Sequence, residues 1–334
     1  MAVSGLGQDG YFRIQKEVTW GTGVTSSMTL IPALPGSTFE FTPTDIENTN
    51  VISSRVKQLP NLGRVKCAFN IKLNLPFTLV GLLMNLFLGT SADASVVDST
   101  YVHTWLTPIT GERIGKSFTQ QVAFGGDTAV QMVGSVITSM KLTGDNQGQV
   151  TLELSGVAKS YTIGVSRITS FTYPSAIPAN FSMVNLNIDP ADASAFDQYI
   201  NSFEYSIDLG YDLERYKDGS AYIQNPVFKT IPSVMLKCAV DADKQFREAA
   251  KVGTLYDHVL TITSTEYAAG TTFSLVEIEI PKARLKTETS IPFENDRLSM
   301  SLDFDCGYGG VTTGSGATVV QSEIRVKDAT ATYA

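Results

Sequence analysis

Residues Arg64–Leu73 read RVKCAFNIKL, and their polarity changes at every step. Val65, Cys67, Phe69, Ile71 and Leu73 fall on one side, and Lys66, Ala68, Asn70 and Lys72 on the other. Successive side chains of an extended chain point to opposite faces, so a period of two predicts a strand with one buried and one polar face. The pattern recurs. Phe118, Gln120, Val122 and Phe124 alternate with their neighbours; Val150, Leu152 and Leu154 oppose Thr151, Glu153 and Ser155; Phe203, Tyr205 and Ile207 oppose Glu204, Ser206 and Asp208. Further on, Val276, Ile278 and Ile280 oppose Glu277 and Glu279, while Met300, Leu302 and Phe304 oppose Ser301, Asp303 and Asp305. Half-buried antiparallel strands of this kind make the chain mainly β.

Two segments depart from the period. Leu75–Leu88, LPFTLVGLLMNLFL, is apolar throughout, and its 14 residues are too few to span a bilayer. Pro76 suits a first helical turn and Gly89 a stop, which predicts a buried helix. Asp243–Val252 places Phe246, Ala249 and Ala250 at helical spacing before Gly253 and predicts a second.

Each helix follows related strands. TFEFT at Thr38–Thr42 matches SFEYS at Ser202–Ser206, and VKCA at Val65–Ala68 matches LKCA at Leu236–Ala239. The shared order of Phe-Glu-aromatic strand, long loop, Lys-Cys-Ala strand and helix points to an internal duplication. The expected organisation is an arm over 1–36, a first β module over 37–160, a connection over 161–198 and a second β module over 199–334. The connection contains YPSAIPAN and IDPADAS, whose Pro, Ala and Ser content suits a linker.

Several classes of function are disfavoured by composition and spacing. A net charge of −8 with no basic run argues against wrapping nucleic acid, which needs clustered Lys and Arg. Cys67, Cys238 and Cys306 are odd in number and lack metal-ligand spacing, so buried reduced thiols are expected rather than disulfides or zinc. His103 in YVHTW and His258 in YDHVL sit among apolar and aromatic residues, where a structural role is expected. DADK at Asp241–Lys244 lacks the downstream ligands of a calcium loop and reads as a helix cap. Met1–Gly10 has neither the basic region nor the apolar core of a secretion signal. The glycines of IQKEVTWGTGVTSS, Ile14–Ser27, and of DFDCGYGGVTTGSGATVV, Asp303–Val320, are not followed by helices, so loops are expected rather than phosphate cradles. No catalytic residue, cofactor or metal is assigned.

IQKEVTWGTG at Ile14–Gly23, IPALPGSTFEF at Ile31–Phe41 and VISSRVKQLPNLGR at Val51–Arg64 together resemble the start of phage tail tube (major tail) proteins of long-tailed phages. The resembling positions are Glu17, Gly21, Thr22, Ser53, Ser54, Arg55 and Gly63. The likeness continues through the helix at Phe77–Leu88, the YVHTW strand and EIEIPKARL, whereas Tyr211–Thr230 has no counterpart. It implies two tail-tube-like β-sandwich or half-barrel modules in tandem, each with a flanking α-helix. It implies a virion protein assembled in the host cytoplasm into stacked rings around a channel for DNA, which transits without specific binding. Tail terminator, tape measure and distal tail proteins would be its other partners, with no membrane contact. A duplicated subunit favours three chains per ring with pseudo-sixfold symmetry over six. The lumen candidates are Glu40, Glu153, Glu204, Asp208, Glu277, Glu279, Asp303 and Asp305, and the inter-ring arm candidates are Glu17, Trp20, Gly21 and Thr22. Two alternatives stand beside this one. One is the tube of a contractile tail or related secretion system. The other is a β-sandwich adhesion or carbohydrate-binding protein using Trp20, Tyr211, Tyr216 and Tyr222 as a sugar platform.

Overall fold

In the computed structural model, the structure describes residues 10–46, 61–91, 94–97, 100–107, 116–123, 128–174, 178–188, 200–216, 220–241, 255–269, 272–288, 293–294, 297–307, 309–310, 319–331 and 333. The alternating stretch that opened the sequence lies in β4 (Asn61–Asn74), where Val65, Cys67, Phe69, Ile71 and Leu73 are all buried. On one side β4 pairs with β3 (Thr38–Ile46) and on the other with β9 (Thr151–Ala158), both antiparallel. β9 pairs with β8 (Thr128–Asp145), which completes a four-stranded block in the order β3-β4-β9-β8.

The second half repeats this order. β12 (Ile200–Asp208) pairs with β13 (Ser233–Asp241), β13 with β17 (Arg297–Cys306), and β17 with β15 (Thr272–Glu288), all antiparallel. The two blocks join where Ser139–Asp145 of β8 run alongside Ser202–Asp208 of β12. One continuous sheet therefore runs β3-β4-β9-β8-β12-β13-β17-β15.

β8 and β15 are long enough to leave this sheet and enter a second layer. The first half of β8 pairs with β7 (Phe118–Ala123) and β10 (Ser160–Ser166), and β7 pairs with β1 (Tyr11–Lys16), which carries β2 (Thr29–Leu30). Thr272–Arg284 of β15 pair with β14 (Leu255–Ala269), Leu275–Glu279 also pair with β20 (Glu323–Asp328), and β14 pairs with β11 (Val184–Ile188). β20 also pairs with β6 (Thr100–Leu106), whose outer neighbour is β5 (Ala94–Val97). Each half is thus a sandwich, and strands cross between the halves at β8–β12 and β6–β20. One apolar cluster runs through both, from Phe12 and Phe39 to Phe304 and Val326.

Among the described residues there is one α-helix, α1 (Phe77–Leu88), and not the two expected; Asp243–Val252, where the second falls, lies outside them. Pro76 stands just before α1 as an extended N-cap, not within its first turn, and the N–H of Gly89 donates to Asn85 O at the other end. Ten of its 12 residues are buried, because the C-terminal tail covers the side that the sheets leave open. There Asn85 Nδ2 donates to Tyr333 O (2.8 Å), His103 Nε2 lies 2.8 Å from Thr330 O, and Tyr333 hydrogen-bonds Asp328. Gly81 is required at this contact, since a Cβ there would lie 1.9 Å from the Tyr333 ring. Trp105 Nε1 donates to Gly89 O (2.9 Å) and ties the helix end to β6.

His258 is fully buried with its ring edge-on to Phe304, and desolvation pulls its pKa down to about 3. The three cysteines are free and buried, with thiols pushed up by desolvation to about 11 at Cys67 and about 12 at Cys238 and Cys306. Few thiolates exist at neutral pH in such sites, so these side chains act as small apolar fillers.

Candidate assembly surfaces

Opposite the core, the eight-stranded sheet shows one polar face, and register decides which of its charges meet. Glu204 lies between Thr143 on β8 and Lys237 on β13, and its carboxylate is 2.6 Å from Lys141 Nζ and 3.7 Å from Lys237 Nζ. Glu153 lies between Lys72 and Lys141; it accepts a hydrogen bond from Asn70 Nδ2 (2.5 Å) and is 3.8 Å from Lys72 Nζ. Asp303 neighbours Lys237, and Asp305 neighbours Arg284. Asp208 ends β12 and accepts from the N–H of Gly210 (2.8 Å), while Glu40 is exposed on β3. The six carboxylates share a face, as the alternation implied, but the face is a mosaic of both signs. The lysines stood at the same alternating positions in the sequence. Their partners did not, because cross-strand neighbours are distant in the chain.

Glu277 and Glu279 do not belong to that face. They lie on the half of β15 that has crossed into the second layer, beside Arg325 and Glu323 of β20. Glu277 and Glu323 both pair with Arg325, and Glu279 and Glu323 are fully buried. The alternation of β15 slips at Pro281, with Val276, Ile278 and Ile280 buried before it and Ala283 and Leu285 after it, and the register against β14 shifts at the same place, which marks where the strand changes layers.

The N-terminal candidates divide into struts and surface. Glu17 is 4 % exposed, and its carboxylate accepts from the N–H of Gly21 (2.8 Å), the N–H of Gly134 (2.8 Å) and the Thr119 hydroxyl (2.9 Å). Thr119 in turn accepts from the N–H of Val24 (3.0 Å). One buried carboxylate therefore closes the loop over residues 17–24 and fixes it to β7 and β8. Gly21 has φ +73, and a Cβ there would lie 2.5 Å from the Lys159 side chain, whose Nζ sits 4.8 Å from the Trp20 ring centre. The spacing Glu-x-x-x-Gly-Thr thus has a local cause: the carboxylate needs a backbone N–H in a left-handed turn four residues on. Thr22 is exposed, and so is Val18, at 99 %. Of the other resembling positions, Ser53, Ser54 and Arg55 lie outside the described residues, and Gly63 is in β4.

The aromatic residues of the sugar-platform alternative are separately engaged. Trp20 packs under Lys159, Tyr211 is buried against Phe228 (4.9 Å, 7° between rings), Tyr216 lies under Arg64 (4.4 Å), and Tyr222 alone of the four is exposed. Most of the glycine-rich stretch at 308–318 lies outside the described residues; Gly309 and Gly310 pair with Val319 and Val320. Among the described residues no group of three or more His, Cys, Asp or Glu side chains is placed to hold a metal ion, and no helix is long and apolar enough to cross a membrane.

What the molecule presents is a polar sheet face, a clamped loop and strand borders, which define a structural β protein that works through surfaces. The family model described as phage tail tube protein matches residues 7–322, and the chain belongs to that family. By that membership it is a structural protein of the bacteriophage virion rather than an enzyme. A comparison with curated proteins finds no match.

Proposed function

We propose that copies of this chain close into rings, and that the rings stack into the hollow tail tube through which DNA is delivered. The observation that carries the reading is the eight-stranded sheet: two four-strand blocks in the same antiparallel order, polar on one face and joined edge to edge. The same correspondence continues in the second layer, where β1 and β11, β7 and β14, and β10 and β20 hold like positions around β8 and β15. Two pseudo-equivalent modules per chain favour three chains per ring and six modules around the axis, with six chains as the alternative. The arm and the connection at 161–198 then correspond, each supplying one outer strand, β1 and β11.

The polar face lines the lumen in this reading, with Glu40, Glu153, Glu204, Asp208, Asp303 and Asp305 among its groups. Interleaved lysines leave no large field of either sign, and DNA slides past such a surface without being held. The rigid loop bearing Val18 and Thr22 reaches the neighbouring ring, with Glu17 and Gly21 setting its shape. Assembly takes place in the host cytoplasm, and the tube's ends meet the other tail proteins. Negative-stain images of the purified protein test the proposal. Rings or tubes support it; monomers at every concentration and salt would refute it.

A further inference from the structure

Among the described residues, those that follow β20 pair with no strand. They leave Asp328 through a turn in which the N–H of Thr330 donates to Asp328 Oδ1 (2.7 Å), and Thr330 and Tyr333 are half-buried while Ala329 and Ala331 are exposed. What they meet is a groove whose walls are held by other contacts. Gly81 and Asn85, one turn apart on α1, form one wall, and His103 and Trp105, alternate residues of β6, form the other. The helix wall packs on the main apolar cluster, the strand wall is paired with β5 and β20, and Trp105 Nε1 bonds Gly89 O across the groove's end.

The groove carries groups suited to an extended peptide. Glycine is unfavourable inside a helix, and at position 81 it leaves room for the Tyr333 ring. A buried amide needs partners, and Asn85, 4 % exposed in an otherwise apolar helix, donates from Nδ2 to Tyr333 O. His103 Nε2 faces Thr330 O, which can only accept, so that nitrogen carries the proton. The Tyr333 ring centre lies 4.8 Å from that of His103 and 6.1 Å from that of Trp105. We infer that the α1–β6 groove is a peptide-binding site for an extended segment with a tyrosine three residues after its anchoring carbonyl, and that residues 329–333 are its ligand, held in cis. The segment leaves and returns, or is replaced by a free peptide, while the sandwich stays folded. Walls fixed by other contacts keep the site formed when it is vacated, and a segment without ladder pairing opens at a lower free energy than the strand it follows. Occupancy ties the two halves together, because β20 belongs to the second and α1 to the first. None of this depends on the ring reading.

Tyr333→Ala in the full chain empties the ring's place, and a fluorescent peptide of sequence ATATYA, residues 329–334, is the probe. Its anisotropy should rise saturably with the Tyr333→Ala chain. Binding to the unmodified chain should be at least about ten-fold weaker, because the resident segment competes. A peptide with alanine in place of the tyrosine should also lose about ten-fold or more. Adding Gly81→Ala to Tyr333→Ala should abolish binding, since the new Cβ occupies the ring's position. No saturable binding by a folded Tyr333→Ala chain, or equal binding of the two peptides, would overturn the inference. So would a Tyr333→Ala chain that cannot fold, which would make the segment part of the fold and not its ligand. Hydrogen exchange in the unmodified chain needs no variant: the amide of Thr330 should exchange about a hundred-fold or more faster than those of Ile324 and Val326. Equal protection at the three positions would show that the segment opens only when the whole chain unfolds.

Discussion

Replacing Glu17 by alanine removes the acceptor for three hydrogen bonds at a site only 4 % exposed. The N–H groups of Gly21 and Gly134 and the Thr119 hydroxyl would be left facing a small void. Each buried unsatisfied donor costs about 1–3 kcal/mol, but the variant also escapes the burial of a charge and partly refills with water. The expected net loss is about 3–5 kcal/mol, comparable to breaking one member of a buried ionic contact. Glutamine retains one acceptor oxygen but sets an NH2 group against one of the donors, so Glu17→Gln should lose an intermediate amount, about 1–3 kcal/mol. Thr119→Val should share this loss without adding fully to it, because the Thr119 hydroxyl links the carboxylate to Val24 and the two residues act as one unit. Urea denaturation of the unassembled chain gives the stabilities, and trypsin cleavage after Lys16 reports on the loop. A Glu17→Ala chain within about 1 kcal/mol of the parent, with its loop still protected, would refute the clamp as a source of stability.

Stability should fall as the solution is acidified, through His258. Its folded pKa, about 3, lies below the ordinary value, so its contribution is complete above pH 6.5 and is lost as pH falls toward 3. The slope is about 1.4 kcal/mol per pH unit, or roughly 2 kcal/mol by pH 5, and His258→Leu should flatten it in urea midpoints measured against pH. Gly156→Ala should destabilise by about 2–3 kcal/mol or more, since the new Cβ would lie 2.2 Å from the Val136 carbonyl oxygen and 2.4 Å from the Phe69 ring. Gly81→Ala should behave differently, because the obstructing group is a Tyr333 side chain that can swing away and alanine improves the helix by about 1 kcal/mol. Global stability should change little while the C-terminus becomes open to carboxypeptidase; a protected tail would be the contrary result. Lysine at Glu40, Asp208, Asp303 and Asp305 together should slow genome ejection at low salt, and unchanged infection kinetics would count against a lumenal placement.

Period-two alternation and the apolar run before Gly89 were enough to establish a β protein and a buried helix at Phe77–Leu88, and the resemblance carried by stretches such as Glu17–Thr22 was enough to point to the tail tube family. These are properties of short windows, in which backbone geometry and burial act on neighbours in the chain. Pairing is not. The ion pairs of Glu204 with Lys141 and Lys237, the removal of Glu277 and Glu279 from the polar face, and the closure of Glu17 on Gly134 all depend on contacts between residues far apart in sequence. A strand's alternation fixes which side chains share a face, but not which layer that face belongs to or what lies beside it. Only the folded sheet decides those, because register and layer are set by the packing of the whole core.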